Sequence, residues 1–156
     1  MTNQLFDQFI EVAERLNRRF NITPLLYGSL GLVNITGIDF TPQDIDVLIP
    51  QEYLNEKWNE FKQEIEDLGY ELIDLHEHEF YKNQHKIAFA LIEGLWDFAG
   101  IDHNQIEMRV NKNTKYKILN LREYLQVYQR SSTDGYRKTN HLWCGACAAC
   151  VANGAV

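Results

Sequence analysis

The stretch YGSLGLVNITGIDFTPQDIDVLIP, running from Tyr27 to Pro50, constrains the fold of this chain more than any other. Leu25-Leu26-Tyr27 is a short apolar run that stops at Gly28-Ser29, and a helix-compatible segment, Leu30 to Ile35, follows it. Asp44-Ile45-Asp46 then opens a second apolar run, Val47-Leu48-Ile49, which Pro50 closes. Successive side chains of a β-strand point to opposite faces, so Asp44 and Asp46 share one face while Ile45 and Val47 take the core side. Two adjacent carboxylates repel each other and are costly to bury unpaired. A divalent cation relieves both problems, and Mg²⁺, a hard ion that prefers oxygen ligands, suits the pair. Gly28-Ser29 brings backbone N–H groups to the end of the preceding strand, where a helix start favours an anion. The expectation is a phosphate cradle beside a metal site. The plainer alternative is a pair of aspartates that only cap a turn.

The remaining chain reads as alternating helices and strands. Apolar positions Leu5, Phe9, Val12, Ala13 and Leu16 recur at helical spacing over residues 3–20, with Arg15, Arg18 and Arg19 as solvated charges on the other side. Residues 51–68 give a second helix that Gly69 ends. Tyr70 to Lys82 alternates as one long strand, Asn83-Gln84 forms a tight turn, and His85 to Ile92 is the return strand. His76 and His78 then share a face, but no nearby third ligand completes a tetrahedral metal set. Trp96 and Phe98 read as core or pocket-wall residues. Ile106–Val110 and Thr114–Leu119 make a second hairpin, and Asn120 caps a closing helix that reaches about Arg130. Asp39, in the loop before Asp44, reads as a turn-stabilising residue.

Composition narrows the partners. A net charge of −7 argues against a nucleic-acid surface, which needs a basic footprint. No apolar run is long enough for a membrane span, and MTNQLFDQF lacks the basic and apolar regions of a signal peptide. All three cysteines fall in the last 13 residues, leaving the body without a disulfide framework. The expected location is cytoplasmic. Residues 1–135 read as one domain and 136–156 as an atypical Cys-rich tail, HLWCGACAACVANGAV in its last part. There Cys144, Cys147 and Cys150 have iron–sulfur-like spacing without a fourth cysteine, and His141 is a candidate fourth zinc ligand. A terminal extension without a metal is the simpler reading of that tail.

The Gly28-Ser29 turn followed by Asp44-x-Asp46 on the next strand resembles the signature of the nucleotidyltransferase superfamily, and is most similar to small bacterial members of antibiotic-modifying and antitoxin type. The resemblance covers most of the chain apart from the tail, but only those four residues are specific. It implies an α/β (α+β) fold, a mixed, mainly antiparallel sheet of about five strands with helices packed on one face. It also implies Mg²⁺-dependent transfer of a nucleoside monophosphate from a nucleoside triphosphate to a hydroxyl of a small-molecule or protein acceptor. Asp44 and Asp46 would hold the metal, with a two-metal site open to them; Gly28 and Ser29 would bind the nucleotide. In the family a third acid stands on the return strand, and the matching position here is Ala88, which neither accepts a proton nor binds Mg²⁺. Glu77, Glu79, Glu93 and Asp97 are the candidate substitutes. The alternative expectation is a catalytically impaired, antitoxin-like domain that binds nucleotide or a protein partner.

Overall fold

The run Val47-Leu48-Ile49 is buried at every residue, which in a strand means that both faces of the sheet are covered here. The computed structural model of the protein describes residues 2–134. Helix α1 (Thr2–Phe20) leads into β1 (Leu25–Tyr27), and α2 (Gly28–Thr36) starts directly at the end of that strand. A loop, in which Asp39 accepts the Thr41 N–H at 2.8 Å, delivers the chain to β2 (Asp44–Ile49). Next come a 3₁₀ turn (Gln51–Leu54), α3 (Trp58–Asp67), and three strands, β3 (Glu71–Asp74), β4 (Glu79–Lys82) and β5 (His85–Leu91). Helix α4 (Gly94–Ala99), strands β6 (Glu107–Asn111) and β7 (Thr114–Ile118), and helix α5 (Leu121–Asp134) complete the described chain.

The strands form one seven-stranded sheet in the order β3-β4-β5-β2-β1-β7-β6. Two pairs are parallel, β2 with β5 and β1 with β7, and the other neighbours are antiparallel. The fold is therefore α/β in the mixed, mainly antiparallel sense, with seven strands where about five were expected. One additional strand comes from the stretch 70–82, which was expected as a single strand and is not continuous. It breaks at Leu75–His78, where His78 takes φ +53, and resumes as β4.

One face of the sheet carries Leu26, Ile45, Val47, Phe80, Ile87 and Phe89, packed under α1 and α3. There Phe61 of α3 meets Phe89 edge to face at 4.8 Å between ring centroids, and each such buried ring contributes about 1.5–3 kcal/mol. The opposite face carries Leu25, Tyr27 and Leu48, packed against Leu95 and Phe98 of α4 and Tyr124 and Val127 of α5. Helices thus lie on both faces rather than one. Of Trp96 and Phe98, expected as core or pocket-wall residues, Phe98 is in the core and Trp96 is 63% exposed, because α4 buries only Leu95 and Phe98.

Local chemistry accounts for the helix ends. Asn120 and Glu123 form a reciprocal capping box, Asn120 N–H to Glu123 at 2.9 Å and Glu123 N–H to Asn120 Oδ1 at 2.8 Å. The expected single helix over 51–68 is interrupted at Asn55–Lys57, and α3 ends in a Schellman arrangement. In it Gly69 N–H reaches Glu66 O at 2.9 Å and Tyr70 N–H reaches Ile65 O at 3.4 Å. Arg15, expected as a solvated charge, instead joins α1 to α3 through Glu64 at 3.0 Å, with Arg19 on the other oxygen at 3.1 Å.

Candidate functional site

The corner between β1 and α2 brings Gly28 against Asp46. Tyr27 is the cross-strand partner of Asp46, so the next residue passes directly over the aspartate side chain. Gly28 has φ +67, and a Cβ there would stand 2.5 Å from Asp46 Oδ2. Only glycine meets both demands without displacing the carboxylate. Gly31 serves the same corner: a Cβ would collide with the Tyr124 hydroxyl and lie 2.8 Å from the Leu26 carbonyl oxygen. That space lets the Tyr124 hydroxyl donate to the Gly28 carbonyl at 2.9 Å, fastening the corner to α5. Ser29 is 5% exposed, so what it presents at the corner is chiefly the backbone of the first turn of α2, where N–H groups lack intrahelical partners.

Asp44 and Asp46 share a face of β2, the first exposed and the second half-buried, while Ile45 and Val47 are buried on the other side. Strand β5 lies parallel to β2 with Asp46 opposite Ala88 and Asp44 opposite Lys86. Strand β4 extends both rows, with Glu79 opposite Ala88 and Tyr81 opposite Lys86. Cross-strand partners present their side chains to the same face. The face therefore carries one row of Asp46, Ala88 and Glu79, and beside it a row of Asp44, Lys86 and Tyr81. Lys86 Nζ is 4.0 Å from Glu79 Oε2, which sets a positive charge beside the acidic groups. A groove of about 490 Å³ opens at this end of the sheet, lined in part by Pro42, Asp44, Ile73, Tyr81, Gln84 and Lys86.

The candidate substitutes for the third acid separate clearly. Glu79 faces the same side, two strands from Asp46, about 10 Å between backbones. Glu93 is engaged elsewhere, accepting the Gln51 N–H at 3.0 and 3.2 Å. Asp97 is exposed on α4, and Glu77 belongs to the turn before β4. His76 and His78 do not share a strand face, because both sit in that turn; the His78 ring packs 5.0 Å from Trp58. Among the described residues no group of three or more His, Cys, Asp or Glu side chains is close enough to hold a metal by itself. Cys144, Cys147, Cys150 and His141 lie outside the described residues.

Mg²⁺ commonly takes only one or two carboxylates and completes its shell with water and substrate phosphates. The Asp44/Asp46 pair fits that mode of binding and not a closed protein cage. Sequence reasoning missed Lys86, Tyr81 and Ile73, whose relation to Asp44 comes from strand pairing and leaves no local pattern.

The fold and this face define an α/β domain with an acid pair beside a glycine corner, and no helix among the described residues is long and apolar enough to cross a membrane. The chain belongs to the family of the uncharacterized protein YnaI of Bacillus subtilis (strain 168). It is 47% identical to that protein over 140 residues, covering 88% of this chain and 90% of the relative. No family model and no solved structure matches the chain.

Proposed function

We propose that the protein is nucleotidyltransferase-like and binds a nucleoside triphosphate with Mg²⁺ at Asp44 and Asp46, for transfer of a nucleoside monophosphate to a hydroxyl acceptor. The observation that carries this reading is the close fit of Gly28 over Asp46, with Asp44 on the same strand face. Gly28 lets the Asp46 carboxylate lie against the start of α2, so a metal held there stands beside backbone N–H groups that favour the negative charge of a phosphate. Asp44 and Asp46 would hold the metal, which when bound offsets charge on the phosphates. Lys86, the cross-strand partner of Asp44, adds a positive charge on the same face.

A second reading, favoured by Ala88 opposite Asp46, is that the domain binds nucleotide, or a protein partner, without turnover. A missing general base alone lowers rates by about 10²–10⁴. Calorimetric titration of ATP with Mg²⁺ into the wild type and into Asp44→Asn/Asp46→Asn tests the common part. Binding to the wild type that is lost in the folded double variant is expected, and equal affinity in both refutes it. Pyrophosphate release in the presence of a panel of hydroxyl acceptors then separates transfer from binding alone.

A further inference from the structure

We propose that the groove beside Asp44 is the nucleobase subsite, with Tyr81 as the surface on which the flat ring stacks and Ile73 as its apolar neighbour. The inference rests on the nucleoside triphosphate reading above and specifies how the rest of the ligand lies.

Ile73 and Tyr81 are 46% and 42% exposed, two large apolar side chains left uncovered on one small part of the sheet. Both line the groove that also takes in Asp44 and Lys86. Its volume, about 490 Å³, is within the usual range of small-ligand sites. Apolar walls at one end and opposite charges at the other call for a ligand with a flat ring at one end and phosphates at the other.

The register fixes the direction. Lys86 is the cross-strand partner of both Asp44 and Tyr81, so the ring surface lies two strands from the aspartate, about 10 Å away. The Gly28 corner lies one strand beyond Asp46 on the opposite side. A nucleoside triphosphate laid across the strands then sets its terminal phosphates at Gly28 and the acid pair, and its ring on Tyr81. Ala88, next to Lys86 on the same face, keeps the sheet low where the ribose crosses. The position that lacks a third acid thus becomes the floor of the ligand path. Gln84, in the turn between β4 and β5, contributes an amide suited to a base edge.

The test compares two ligands, ATP and inorganic tripolyphosphate, each titrated with Mg²⁺ into the wild type, Tyr81→Phe and Tyr81→Ala. In the wild type ATP is expected to bind about tenfold or more tightly than tripolyphosphate, the worth of one stacked base. Tyr81→Ala should remove that advantage and leave tripolyphosphate affinity unchanged, while Tyr81→Phe keeps it. ATP affinity that survives in Tyr81→Ala, or equal loss of both ligands, overturns the subsite and leaves the nucleotide reading standing. The wild-type comparison also decides the matter without a variant, since equal affinity for the two ligands rules out a ring subsite. A wild type that binds neither ligand overturns both the nucleotide reading and the subsite.

Discussion

Replacing Gly28 by alanine tests the corner directly, and Gly37 is its internal control. Both glycines have left-handed backbone, φ +67 and φ +74, so alanine at either costs about 1–2 kcal/mol through the backbone alone. They differ in surroundings: a Cβ at Gly37 has nothing within 4 Å, whereas at Gly28 it stands 2.5 Å from Asp46 Oδ2 and 3.2 Å from Asp46 Cγ. Forcing an extra carbon into a closed space adds about 1–3 kcal/mol. Gly28→Ala should therefore lower unfolding stability by about 2–5 kcal/mol, against the 1–2 for Gly37→Ala. Because the excess comes from one side chain, Asp46→Ala should relieve it. In a double-mutant cycle, Gly28→Ala/Asp46→Ala should be more stable than the sum of the single changes by about 1–3 kcal/mol. Urea denaturation followed by circular dichroism measures all four proteins, and unchanged m-values keep the comparison two-state. Equal costs at Gly28 and Gly37, together with additivity against Asp46→Ala, would falsify the contact on which the candidate site rests.

Ala88→Asp adds a carboxylate as the cross-strand neighbour of Asp46, so charge repulsion should cost up to about 1 kcal/mol of stability in chelator, seen as a lower melting temperature. Millimolar Mg²⁺ should then raise the variant's melting temperature by more than it raises the wild type's; the same response in both contradicts the shared face. Burial pushes the Tyr70 phenol up to about 12, with the Gln8 amide opposing the rise and the Glu11 charge adding to it. Unfolded tyrosine loses its proton near 10, so between pH 10 and 12 the unfolded chain holds fewer protons than the folded one and stability falls as pH rises. Relative to Tyr70→Phe, wild-type stability should be level below pH 10 and then decline by at most about 1.4 kcal/mol per pH unit; parallel profiles refute the assignment.

The parts of the fold that were legible in the sequence are those written in local periodicity. Asp44-Ile45-Asp46-Val47 states its own facing, and α1 and the Asn120 cap follow from spacing and side-chain chemistry. The break inside residues 70–82 was hidden because the alternation of polar and apolar residues runs straight through Leu75–His78 with no glycine or proline to mark a turn. Coverage of both sheet faces did have a signal, the unbroken apolar run Val47-Leu48-Ile49, which a half-exposed strand does not carry. At the candidate site, Gly28 and the two aspartates stand out by type. Lys86 and Tyr81 do not, since their place beside Asp44 depends on pairing among β2, β5 and β4 and on no spacing within any one of them.

The tie between Tyr124 and Gly28 has a consequence for how the molecule is made. The two residues are 96 positions apart, and β1 finds its second neighbour only when β7 has been synthesised. A nascent chain that has emerged through β5 can already pair β1 with β2 and β2 with β5. Its three-residue β1 still has one bare edge, and its glycine corner is held from one side only. The acid pair on β2 thus gains both of its strand neighbours early, whereas the glycine corner beside it reaches its final form last during vectorial synthesis. A product that terminates before Thr114 keeps the aspartates and loses the strand and helix that fasten the glycine corner beside them. It displays an open strand edge in the middle of what should be a continuous sheet, a template for pairing with other chains.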